Sequence, residues 1–132
     1  MKHQTDYDVI VVGGGHAGME AAIISNKLKL KVVLITQDKF AIGRMSCNPS
    51  IGGLAKGQMV REMDVIGGTM GSAADATGLQ FKVLNKKKGR SVWSPRAQVD
   101  KRLYEKLVLQ KTVEAQVRIF SGEVVLEFSY LF

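Results

Sequence analysis

The chain has 132 residues, 45% hydrophobic and 23% charged, which fits one globular domain with a modest core and leaves no run long enough to cross a bilayer. Its one cysteine, Cys47, rules out an internal disulfide framework and a cysteine-based structural zinc site. The formal net charge of +7 points to an anionic partner, and the excess concentrates between Lys82 and Lys111, where only Asp100 and Glu105 oppose the run of lysines and arginines.

The polar opening MKHQTDYD predicts neither a signal peptide nor a transit helix, and so a cytoplasmic location with no membrane partner. Asp8 to Val12 is a short β-branched run that stops at glycine and reads as a buried parallel strand. Gly15 to Lys29 follows as a helix with Met19, Ala22, Ile23 and Leu28 inward, and Lys31 to Thr36 as a second strand. Together they form a βαβ unit with a right-handed crossover. Asp38 to Gly53, rich in glycine, proline and asparagine, reads as a functional loop rather than a regular element. A helix is expected over Leu54 to Ile66, with Met59, Met63 and Ile66 on one side, Val60 beside them, and Gly67 and Gly68 as its stop. Thr69 to Gly89 reads as a short helix and then an extended segment. Gln98 to Val117 is an amphipathic helix with Val99, Leu103, Leu107 and Val108 inward. The final stretch, VRIFSGEVVLEFSYLF, reads as strand, bend and strand. It ends in apolar, sheet-like sequence, which predicts that residues 1–132 are part of a longer protein.

The first strand runs into Gly13-x-Gly15-x-x-Gly18, with Ala22 four residues on. In such a turn the first glycine bends the chain, the second admits a pyrophosphate to the backbone, and the third lets helix and strand pack closely. The free N–H groups of the helix start then favour an anion. The acid that grips a ribose in many dinucleotide sites belongs at the end of the second strand, and Thr36 stands there, with Asp38 two residues on. A hydroxyl still hydrogen-bonds a ribose, so FAD and NAD both stay open from this unit. A purely structural glycine turn is the alternative.

Cys47 lies between Ser46 and Asn48 in RMSCNPSIGGLAKGQMVREMDVIGG, ahead of a glycine pair and a helix start. Backbone N–H groups with Arg44 or Lys56 would stabilise a thiolate there; a buried, inert cysteine is the alternative. The succession GGGHAG, SCNPSIGGLAKGQMVREMDVIGG and LQFKVLNKKKGRSVWSPRAQVDKRLY resembles the GidA/MnmG family of tRNA uridine 5-carboxymethylaminomethyl modification enzymes, in order from Asp8 to Tyr104 and more weakly to Glu127. Three positions depart from the family pattern: Arg90 and Ser91, where KGRSV stands in place of the frequent KGPAV, and Lys101, where arginine is frequent.

The resemblance implies an α/β, Rossmann-like FAD/NAD(P)-binding fold of the glutathione reductase type, incomplete in this chain, whose 132 residues form the N-terminal part of the FAD-binding domain. It implies FAD as cofactor and NADH as reductant at a site outside this chain. It implies a homodimer acting with the GTPase MnmE on the wobble uridine of tRNA, with methylenetetrahydrofolate and glycine or ammonium as co-substrates. Gly13, Gly14, Gly15, His16, Ala17 and Gly18 match the FAD pyrophosphate loop, Thr36 suits a family without an acid there, Val124 aligns with an adenosine contact, and Cys47 matches a proposed catalytic cysteine. The competing readings are a flavin-dependent disulfide reductase, which needs a second nearby cysteine; another FAD-dependent oxidoreductase or a folate-dependent tRNA methyltransferase; and a truncated, non-catalytic FAD-binding remnant. The basic run from Lys82 to Lys111 is either an RNA-facing surface or a solvated one.

Overall fold

The computed structural model describes residues 6–122. Strands β1 (Val9–Val12) and β2 (Val32–Thr36) are joined by helix α1 (His16–Lys27) and pair in parallel, Val9 opposite Val32 and Val12 opposite Ile35. Their third partner arrives much later in the chain. The last described strand, β6 (Arg118–Ser121), pairs parallel to β2, which gives the order β1-β2-β6. The sheet is parallel throughout, and its central strand is buried on both faces at Val32, Val33 and Leu34.

Between β2 and β6 the chain builds a second layer. A 3-10 turn at Lys39–Ala41 leads to β3 (Ser50–Gly52), then α2 (Lys56–Val65), α3 (Met70–Ala76), β4 (Gly78–Leu84), two further 3-10 turns, and β5 (Ser94–Val99). The three strands form an antiparallel sheet in the order β3-β5-β4, with a register shift between Gly78 and Gln80. Helix α4 (Lys101–Glu114) then returns the chain to β6, packing against α1 and α3. One hydrophobic core joins both layers, from Met19, Leu34 and Ile42 to Ile51, Ala73, Val99, Tyr104 and Val108.

Several expected burials are corrected. β1 is parallel but only half-buried: Val9 and Val11 pack on the core while Ile10 and Val12 are exposed. Leu28 is the C-cap of α1 and 67% exposed, because the helix ends there and Lys29 turns to φ +67. In α2 the buried positions are Gly57 and Val60, and Ile66 is 69% exposed. Gly57 decides that orientation, since a Cβ there would sit 3.3 Å from the Pro95 carbonyl oxygen and hold the helix off β5. The segment 38–53 holds β3 as well as loop. The amphipathic helix starts at Lys101 rather than Gln98, since Gln98 and Val99 complete the antiparallel ladder and Asp100 caps the helix, its Oδ1 accepting from the N–H groups of Arg102 and Leu103 at 2.9 Å each. Val108 is buried and Leu107 packs against the core as expected, Tyr104 and Thr112 join them inward, and Leu103 alone of that set is turned out, 55% exposed. After β6, Gly122 adopts φ +85. The second strand expected at the C-terminus, with Val124, lies outside the described residues.

Among the described residues no helix is long and apolar enough to cross a membrane, and no cluster of three metal-ligating side chains occurs.

Candidate functional site

The turn between β1 and α1 is fixed by sterics. Gly13 sits at φ +103, where L side chains are strained, and its N–H donates to the Ile35 carbonyl at 2.8 Å, tying the turn to β2. A Cβ on Gly18 would collide with the Gly13 carbonyl, and one on Gly14 would stand 2.7 Å from Thr36 Oγ1. At Gly13 and Gly15 an added Cβ would meet nothing within 4 Å. Those two glycines therefore present bare backbone to open space. Gly15 is the N-cap of α1, no side chain caps the helix start, and its first turn carries no acid. The first-turn N–H groups and the helix dipole are left to face an anion.

That backbone lines a concavity of about 520 Å³ together with Thr36, Asp38, Ala41 and Arg44. Thr36 is buried at the end of β2, its hydroxyl donating to the Asp38 carbonyl at 3.5 Å. The Asp38 carboxylate accepts from the Phe40 N–H at 2.8 Å and pairs with Arg44 at 3.7 Å. The structure thus brings Gly13, Gly14, Gly15 and Thr36 to one place, with His16, Ala17 and Gly18 forming the helix start behind them.

Cys47 lies in an adjoining cavity of about 490 Å³, lined also by His16, Arg44, Asn48, Lys56 and Arg96. The thiol is exposed rather than buried. His16 joins the two regions. Its ring is 5.8 Å from that of Tyr104, its Nε2 is buried without a hydrogen-bond partner, and burial lowers its pKa, with the Lys56 ammonium adding to the effect. The imidazole is held neutral at the helix start. Burial raises the Tyr104 phenol, and the Glu20 carboxylate raises it further.

Two residues of this arrangement were hidden in the sequence. Arg96 lay in a stretch without an assigned element, and only the β3-β5 pairing, Gly52 opposite Arg96, brings it to Cys47. Glu20, on the inner side of α1, accepts from the N–H groups of Thr69 at 2.8 and 2.9 Å and of Met70 at 2.6 Å, and so caps α3 from another helix. The basic run divides: Lys82 and Arg96 stand on the antiparallel sheet, Lys86–Lys88 on a 3-10 turn, and Lys101, Arg102 and Lys106 on α4, so it forms no single stripe.

A family model described as "Glucose inhibited division protein A" matches residues 8–126. A curated tRNA uridine 5-carboxymethylaminomethyl modification enzyme MnmG from Sulfurihydrogenibium sp. is 55% identical over 126 residues, covering 95% of this chain and 20% of the relative. The enzyme of the same name from Chlorobaculum tepidum is 56% identical over 113 residues, covering 86% of this chain and 18% of the relative. The chain therefore spans about a fifth of the length of the curated relatives it matches. Aquifex aeolicus GidA in its form I crystal superposes with a TM-score of 0.85 at 46% identity, over 96% of this chain and 21% of that one. A flavoprotein/dehydrogenase from Cytophaga hutchinsonii, 22% identical with a TM-score of 0.61 over 95% of this chain and 32% of its own, shares the fold, which is the Rossmann-like α/β arrangement expected.

Proposed function

The chain belongs to the GidA family, and from that membership we propose that its 132 residues form the N-terminal part of the FAD-binding domain of an enzyme that modifies the wobble uridine of tRNA. The observation that carries the reading is the bare backbone of Gly13 and Gly15 at the uncapped start of α1, opening on a concavity that ends at Thr36. A pyrophosphate fits that donor set by charge and by close backbone approach. Gly13 to Gly18 would bind the pyrophosphate, Thr36 lies where the ribose is expected, and Val124 is retained from the resemblance as an adenosine contact. Bound there, FAD would supply two-electron redox chemistry.

Cys47 is the proposed nucleophile. Its thiolate would add to C6 of uridine, the C5=C6 π pair moving towards the C4 carbonyl as an enolate that is nucleophilic at C5. When C5 has formed its new bond and lost its proton, the double bond re-forms and the thiolate leaves. Exposure of the thiol supports this, since a sulfur nucleophile needs access to its substrate. For the whole protein we retain NADH as reductant, MnmE as partner, a homodimer, and methylenetetrahydrofolate with glycine or ammonium as co-substrates, all resting on family membership.

The test is a full-length MnmG relative carrying this chain's segment in place of its own. It should hold FAD and form modified uridine on tRNA; a soluble chimera that does neither refutes the reading. A non-catalytic FAD-binding module is the second reading, since the bare backbone at Gly13 and Gly15 suits a pyrophosphate whatever Cys47 does. Flavin binding without modified uridine in the chimera would select it.

A further inference from the structure

Two cations beside Cys47 have no carboxylate of their own. Lys56 opens α2, Arg96 lies on β5, and both line the cavity that holds the thiol. The third cation there is already neutralised: Arg44 pairs with Asp38 at 3.7 Å and with Glu105 at 3.6 Å. Among the described residues neither Lys56 nor Arg96 makes a salt bridge, and no acid lines the cavity. Arg96 is braced rather than free, since one Nη2 donates to Ser50 Oγ at 2.9 Å across the β3-β5 pair. Its remaining N–H groups stay available for a planar, two-oxygen acceptor.

The concavity at Gly13–Gly15 has its own backbone donors for a pyrophosphate, so these side chains call for a second anion. The relatives' name contains one. A carboxymethylaminomethyl group is a glycine joined through its nitrogen to a methylene, and it ends in a carboxylate. If Cys47 attacks C6, the neighbouring C5 is where that group grows. We propose that Lys56 and Arg96 form a carboxylate subsite beside Cys47 that holds the glycine end of the group being installed, and so select a glycine-type amine over ammonium. The inference rests on the tRNA-modification reading and names its specificity residues.

The experiment supplies the full-length chimera with glycine and ammonium together and measures the ratio of carboxymethylaminomethyluridine to aminomethyluridine in digested tRNA, alongside tRNA affinity and flavin content. Lys56→Gln and Arg96→Gln should each lower the ratio about tenfold, the worth of one charge-assisted hydrogen bond. An unchanged ratio overturns the proposal. A parallel fall of both products with weaker tRNA binding also overturns it, because the cations would then serve an RNA phosphate. A second arm needs no turnover: the 132-residue chain is titrated with glycine and with glycinamide, which keeps the amine and lacks the carboxylate. Saturating amide shifts around Lys56 and Arg96 with glycine alone, lost in Lys56→Gln, support the subsite; equal responses to both ligands sink it. Should the unsubstituted chimera make no modified uridine, the functional reading fails while this titration still decides the subsite.

Discussion

The two sheets assemble their halves of the site in different ways. In the parallel layer the chemistry is local: six consecutive residues, Gly13 to Gly18, carry the turn, the helix start and the exposed backbone, and sterics at Gly18 enforce their shape. In the antiparallel layer it is non-local: Arg96 reaches the Cys47 cavity through a strand pair whose braced contact, to Ser50, spans 46 residues. A backbone site of the first kind tolerates little change within the turn and much outside it. A side-chain site of the second kind depends on register, so its weak points lie where the layers are fastened together, at Glu20, and where α4 is started, at Asp100.

The steepest break of that contrast is Gly18→Ala. The new Cβ would meet the Gly13 carbonyl, so the turn or the helix must shift, at about 3 kcal/mol of stability. Urea unfolding should show a lower midpoint, and the full-length chimera bearing the change should lose flavin. Next comes Glu20→Ala, which removes three backbone hydrogen bonds to a half-buried carboxylate and uncaps α3; about 2 kcal/mol is expected in the same measurement. If Glu20→Ala proves neutral, the two layers are not fastened at that point. Asp100→Ala should cost about 1 kcal/mol, the value of an N-cap, because other residues of α4 remain packed.

The mildest effect concerns His16, which sits between the two regions. Burial and Lys56 hold its pKa below the usual 6.5, so the folded state favours neutral imidazole. Its contribution is therefore fully present above pH 6.5 and is lost as pH falls through the lower, folded value. Denaturation midpoints followed from pH 8 downward should decline in that window, and His16→Gln should remove that part of the decline while the carboxylates still titrate below it.

How much of this was legible depended on range. The β1-turn-α1-β2 unit could be read from GGGHAG and its apolar flanks because glycine sterics and helix periodicity act over a few residues. Leu28 was misplaced because the C-cap ends the stripe one turn early, a matter of termination that periodicity does not encode. Val99 and Leu103 share the spacing of a helix face, yet Asp100 marks the true start, and Val99 belongs to a strand whose partners lie at Pro49 and Gly78. The α2 face was half read: Val60 and Met63 do pack on the core, while Met59 and Ile66 are exposed, because a glycine rather than a large apolar residue sets the close approach. Cys47 was singled out by its loop, whereas Arg96 became visible only with the antiparallel register.

The central claim, that this segment unites a dinucleotide cradle with a nucleophilic cysteine, meets its most direct test in Cys47→Ser within the full-length chimera, with flavin content, tRNA affinity and modified uridine measured on one preparation. The hydroxyl is nearly isosteric but far less ionised at neutral pH. Flavin and tRNA binding should therefore persist while modified uridine falls below about 1% of the unsubstituted level, a loss of roughly 100-fold corresponding to some 2.7 kcal/mol of barrier. Modification at the unsubstituted rate would contradict the claim and leave Cys47 a bystander in the cavity.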